Sequence, residues 1–202
     1  MDESNSFRFE CTKCGNCCTD KKTIVNITYI DILRIKIGLN LTFDELLYIL
    51  GFYMYKHKFN QKEQQKMVIS AIETEKGFAF IGLYKKKNGE CYFYDNNSKK
   101  CTIYSLRPMF CRTFPFFFRK EKTNEENILI GYSNKGLEYC PGIGNKSPLI
   151  SINKWLSLGK KTLTNIEENE RFIKNYNTSV NNGKIKPSTK NFIQFLLDSE
   201  SA

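Results

Sequence analysis

The stretch Cys11-Thr12-Lys13-Cys14-Gly15-Asn16-Cys17-Cys18 places four cysteines in eight residues, and it governs how the rest of the chain is read. Two residues between cysteines let a tight turn aim both sulfurs at one centre, and Gly15 permits the strained backbone such a turn needs. Cysteines this crowded can hardly all find disulfide partners in separate elements, whereas they suit metal ligation. Adjacent side chains diverge in helix and strand alike. Cys17 and Cys18 therefore do not share one small ion comfortably, and one physical solution is that they face two centres.

Working outward, the other four cysteines are Cys91, Cys101, Cys111 and Cys140. A tetrahedral ion or a cubane cluster takes four sulfurs, so eight is two fours. The trio Cys11, Cys14 and Cys17 matches the opening of the bacterial ferredoxin ligand run, and Cys140-Pro141 has the local form of its fourth member. Cys18, Cys91, Cys101 and Cys111 then form the second group. Exchanging Cys140 with Cys91, Cys101 or Cys111 fits the sequence equally, and so does one site with spare reactive thiols. The ferredoxin-like trio tilts the expectation towards an iron–sulfur (4Fe–4S) cluster, with zinc or iron ions as the alternative. The lone histidine, His57, lies between two lysines and reads as a solvated residue rather than a ligand.

A second informative stretch carries Arg107-Pro108 and Cys111-Arg112. Pro108 can open a helical turn at its first position, with Cys111 one turn later. Arg107 and Arg112 are the candidate cofactor-binding cations: an assembled four-thiolate site carries about −2, which nearby guanidinium groups stabilise.

Around these motifs the composition sets bounds. The chain has 202 residues, 31 Lys+Arg against 21 Asp+Glu, and a formal charge of +10. Apolar residues make up 41%, enough for a buried core. No run of about 18 apolar residues is present, which excludes a membrane-spanning helix by pattern. The polar start Met1-Asp2-Glu3-Ser4 shows no secretory signal, and the expectation is a cytoplasmic protein without membrane contact. Because the cysteines end at 140, residues 1–147 are expected to form the metal-binding body. Residues 148–202 are expected to form a helical extension packed on it.

Local patterns predict an α+β fold with a small, mostly antiparallel sheet. Thr28 is an N-cap candidate for a helix carrying Ile30, Leu33 and Ile37, with Gly38 as its stop. Thr42 with Glu45 forms a capping box for a second helix, closed by Gly51. Residues 67–72 and 77–84 read as strands around Glu75-Lys76-Gly77, and Asn88-Gly89 signals a hairpin with Cys91–Tyr94 returning. Asp95–Ser98 reads as a further turn. Phe116–Phe118 and Ile128–Tyr132 suggest two more strands. Residues 151–177 read as helical, with Ile152, Trp155, Leu156, Leu163, Ile166 and Phe172 as core candidates. Asn181-Asn182-Gly183 breaks that helix, and Ser188 caps a last one.

Taken together, Cys11-x2-Cys14-Gly15-x-Cys17-Cys18, then Cys91-x-Phe93, then Cys101-x-Ile103-Tyr104-x2-Arg107-Pro108-x2-Cys111-Arg112-x-Phe114-Pro115, resemble the YkgJ-like family of cysteine-cluster proteins over about residues 7–145. The resemblance implies a zinc- or iron-chelating domain. A metal-binding protein for electron transfer, metal handling or a modifying system is the leading expectation. Its partners would be metal ions and a protein redox or substrate partner. The same signature is associated with flagellin lysine N-methylases, which makes a protein lysine methyltransferase-like enzyme or a cluster-dependent oxidoreductase the enzymatic alternative. The sequence carries no Gly-rich strand–turn–helix loop of the kind that binds S-adenosylmethionine. A zinc-stabilised nucleic-acid binder ranks third, on the net charge and Lys85-Lys86-Lys87. Two assembled four-thiolate sites would lower that charge to roughly +6.

Overall fold

The computed structural model describes residues 7–55, 68–121 and 127–199, so the reading of His57 lies outside the described residues. The cysteine-rich stretch ends in one helical turn, α1 (Asn16–Thr19), and two capped helices follow, α2 (Tyr29–Leu39) and α3 (Phe43–Ile49). Both begin for the same local reason. Thr28 and Thr42 accept a hydrogen bond from the backbone N–H three residues on, where Asp31 and Glu45 reach back to the threonine N–H. Each such box stabilises its helix by about 1 kcal/mol.

The stops differ from expectation. α2 runs past Gly38 and ends at Asn40, which adopts the left-handed conformation (φ 51). Gly38 instead admits the Leu106 side chain, whose Cδ1 would stand 2.6 Å from a β-carbon there. α3 turns at Leu50 straight into strand β1 (Leu50–Met54), so Gly51 lies inside a strand and does not close a helix.

β1 is one edge of an antiparallel sheet ordered β1-β3-β2, with β2 (Ile72–Thr74) and β3 (Gly77–Leu83) joined by the expected turn. Leu50 pairs with Leu83 and Met54 with Ala79. The Asn88-Gly89 turn also forms, closed by Gly89 N–H donating to Lys86 O (2.8 Å). Its return is a single bridge, Lys85 with Cys91, bonded on either side by the Lys86 N–H to Glu90 O (2.8 Å) and the Tyr92 N–H to Tyr84 O (2.9 Å). The Cys91 N–H faces the other way and donates to the carbonyl of Cys18 (2.8 Å). The chain then builds a two-stranded ladder, β4 (Tyr94–Asp95) with β5 (Lys100–Cys101). Asp95 shapes the turn between them by accepting from the Ser98 N–H (3.0 Å).

A 3-10 turn (Tyr104–Leu106) leads to the short helix α4 (Met109–Thr113), with Pro108 just before it rather than at its first position. The hairpin β6 (Phe116–Lys120) and β7 (Ile128–Tyr132) follows as expected, then helices α5 (Asn134–Tyr139), α6 (Ile152–Asn181) and α7 (Thr189–Asp198). α6 lies across β6, β7, β2 and α2. The whole is α+β, and among the described residues no helix is long and apolar enough to cross a membrane.

The main core joins Ile27, Ile32, Ile35, Leu46, Ile72, Ile81 and Leu83 to Ile173, Tyr176, Phe192, Ile193 and Leu196 of the last two helices. On α6 the buried stripe is Gly159, Thr162, Asn165, Asn169, Ile173 and Tyr176. Ile152, Trp155, Leu156, Leu163, Ile166 and Phe172 are only half-buried beside it. Hydrogen bonding explains part of this polar stripe: Asn169 Oδ1 accepts from the Tyr29 N–H at the start of α2 (2.8 Å), and Thr162 donates to Leu158 O (2.8 Å). A buried polar group with such a partner is tolerated where an unpaired one is not.

Candidate metal centre

Each cysteine reaches its place by a different local device. Gly15 takes the left-handed conformation (φ 83) ahead of α1, and the Cys18 N–H then donates to its carbonyl (2.8 Å). A β-carbon on Gly15 would stand 2.7 Å from the Tyr94 ring, so this turn is closed to any side chain. The Cys91–Cys18 backbone bond fixes the second arm, and Cys101 sits opposite Tyr94 in the β4–β5 ladder.

Cys111 is set by α4. Its N–H donates to Pro108 O (3.0 Å), and the buried Asp31 carboxylate accepts the Met109 N–H (3.0 Å). Cys140 follows α5, and Asn16 Nδ2 of α1 donates to Tyr139 O just before it (3.0 Å). An N-terminal clasp completes the ring. Arg8 bridges to Leu149 and Phe9 to Ile143, and the Tyr132 hydroxyl both receives the Arg8 N–H (2.8 Å) and donates to Arg8 O (2.7 Å).

All eight cysteines line one cavity. Cys91 is buried; Cys18, Cys101, Cys111 and Cys140 are half-buried; Cys11, Cys14 and Cys17 are exposed, and all eight are free thiols. Among the described residues, no three His, Cys, Asp or Glu side chains stand close enough to hold one metal ion as they are.

The thiols sort by electrostatic neighbourhood. Cys17 is lowered to about 7, first by the hydrogen bond it receives from the Cys18 thiol and further by the positive charge of Arg107. Cys18 is raised by that same bond, by burial, and by the charges of Cys17, Cys91 and Cys101. Burial pushes Cys111 well up, with Cys17, Cys91 and Cys101 adding to it. Cys140 is raised by burial and by a different set, Cys14, Cys17 and Cys11. Cys17 is thus a charged neighbour both of Cys140 and of the deeper thiols Cys18 and Cys111.

Arg107 lines the cavity, and its positive charge favours the thiolates of Cys17, Cys101 and Cys111. It is held by Nε donating to Tyr104 O (3.0 Å) and by its guanidinium lying 3.7 Å from the Tyr104 ring centroid. Arg112 is not among the lining residues. Burial lowers its pKa, its charged neighbours are Arg34, Asp31 and Arg107, and its Nε is buried without a hydrogen-bond partner. Lys13, Lys99 and Tyr104 also line the cavity. Their roles there carry no signal in a sequence otherwise rich in lysine and tyrosine.

Eight soft thiolate donors with one guanidinium suit zinc or iron chemistry, and hard oxygen-seeking cations are disfavoured by the lack of any lining carboxylate. Comparison with known proteins agrees. The profile of the CxxCxxCC family, described as "Putative zinc- or iron-chelating domain", matches residues 10–130. The uncharacterized protein MJ0661 of Methanocaldococcus jannaschii is 30% identical over 139 residues, which are 69% of this chain and 60% of that protein. The chain thus spans under two thirds of that relative's length. No solved structure matches. With the matched segment taking in seven of the eight cavity cysteines, the chain belongs to the CxxCxxCC (YkgJ-like) family.

Proposed function

We propose that the cavity holds two four-thiolate centres of the iron–sulfur type, one on Cys11, Cys14, Cys17 and Cys140 and the other on Cys18, Cys91, Cys101 and Cys111. The observation carrying this reading is that all eight thiols line one cavity. The Cys11, Cys14 and Cys17 spacing, like the opening of the bacterial ferredoxin ligand run, favours a cubane over zinc. When bound, such a centre supplies one-electron chemistry or a store of iron.

The chain's own part begins at Cys17. Its thiol ionises near neutral pH, and the thiolate is the form that ligates metal, so Cys17 is the first donor. Arg107 offsets the charge that accumulates as Cys101 and Cys111 follow. Cytoplasmic placement accords with free thiols. Residues 1–147 are the binding body, with the last helices as its support.

Elemental analysis with acid-labile sulfide, on protein isolated without air, tests this. Two cubanes predict about eight iron and eight sulfide per chain and a brown protein. Zinc without sulfide would replace the clusters by ions, and folded protein free of both metals would overturn the reading.

A further inference from the structure

The mouth of the cavity carries two cations, Lys13 and Lys99, beyond Arg107, whose charge already offsets the thiolates. Its lining residues include three cations, Lys13, Lys99 and Arg107, and no carboxylate. Among the described residues none of the three forms a salt bridge. Glu10 and Asp95 lie nearby in sequence but do not line the cavity, and Asp95 is engaged with its own turn.

The two lysines are also held in an uncommon way. Among the described residues three non-glycine positions have left-handed φ, and two of them are Lys13 (φ 56) and Lys99 (φ 53). Glycine or asparagine would meet that conformation at lower cost, so the backbone does not explain a lysine at either place. Both side chains are exposed. Lys13 Nζ lies 5.1 Å from the Tyr104 ring centroid, and Arg107 is on the same ring at 3.7 Å, so one tyrosine ties two of the cations together at the opening.

We propose that Lys13, Lys99 and Arg107 form a cationic collar that docks the acidic surface of a partner protein over the thiol cavity, where the centre exchanges electrons or metal. This rests on the metal reading above for what is exchanged, but not for the docking itself. A carboxylate-free lining with two exposed lysines and a half-buried arginine attracts an acidic surface and raises its association rate. A single-stranded nucleic acid is the weaker fit: Tyr104, the aromatic group of the collar, already carries two cations, so its face is not free to stack a base.

The test compares full-length protein with a Lys13→Gly/Lys99→Gly double variant and with a charge-matched control, Lys160→Gln/Lys161→Gln, on the exposed side of α6. Glycine suits both left-handed positions, so the collar variant keeps its melting temperature or gains. Binding is read by anisotropy with a short fluorescein-labelled poly-L-glutamate and with an oligothymidylate of equal charge, at low and high salt. The expected result is a salt-sensitive polyglutamate affinity that falls about tenfold in the collar variant and under twofold in the control. Equal losses in the two variants, or tighter binding of the oligothymidylate, overturn the proposal. Metal content is measured on the same samples. Metal-free protein with collar-dependent binding fails only the metal reading; loaded protein without it fails only the docking.

Discussion

The two sides of the thiol cavity are built by different physics. Cys91, Cys101 and Cys111 form a floor held by the core: Cys91 and its neighbours Phe93, Tyr94 and Ile103 are buried among aliphatic residues. Cys11, Cys14 and Cys17 form a rim on a loop and one helical turn, and α1 buries no residue at all. The floor is therefore set by burial and backbone bonding before any metal arrives. The rim is positioned by the Gly15 turn, the Asn16 bond to Tyr139, the Cys91 N–H bond to Cys18 O and the N-terminal clasp. Metal affinity in such a design includes the free energy of ordering the rim.

The contrast can be broken from below. The Asp31 carboxylate accepts from Thr28, Arg34 (3.0 Å) and the Met109 N–H (3.0 Å), so one buried group ties α2 to the helix bearing Cys111. Asp31→Ala is expected to cost about 3 kcal/mol in urea denaturation, because it leaves the Met109 N–H buried without a partner and removes the acceptor that Thr28 and Arg34 share. An unchanged midpoint would mean that the floor does not depend on this link.

A smaller effect is expected from removing metal. Chelation should raise amide exchange in α1 by about tenfold while leaving β3 protected, since only the rim relies on the metal. Uniform loss of protection would show that floor and rim unfold together.

The smallest effect is one of rate, at a rim thiol. In metal-free protein, alkylation of Cys17 should rise with pH through about 7, because its lowered pKa yields thiolate there. Cys91 and Cys111, raised by burial, should react only above the ordinary thiol range. Mass spectrometry after timed alkylation separates them, and simultaneous labelling would remove Cys17 as first donor.

Much of this was legible locally. Threonine followed three residues later by an acid announced α2 and α3, and Ser188 announced α7, because a cap is decided by a few atoms within one turn. The thiol crowding was visible for the same reason. β1 was not visible: it follows a helix without a break, and what makes Leu50–Met54 a strand is β3, about thirty residues away. The buried stripe of α6 was hidden in part because Asn169 and Thr162 become core residues only once the Tyr29 N–H and the helix's own Leu158 carbonyl supply partners. The placing of Arg107 in the cavity likewise depends on Tyr104, whose carbonyl and ring hold its guanidinium.

The clasp between residues 8–9 and residues 143–149 has a mechanical consequence. It is a seam of two isolated bridges, and on its far side lie Cys11 in one direction and Cys140 in the other. Tension on the chain ahead of Phe7 would unzip that seam first and part those two sulfurs, while the hydrocarbon-anchored thiols beneath stayed where they were. A pull in that direction thus opens the basin like a purse, from the lip downward.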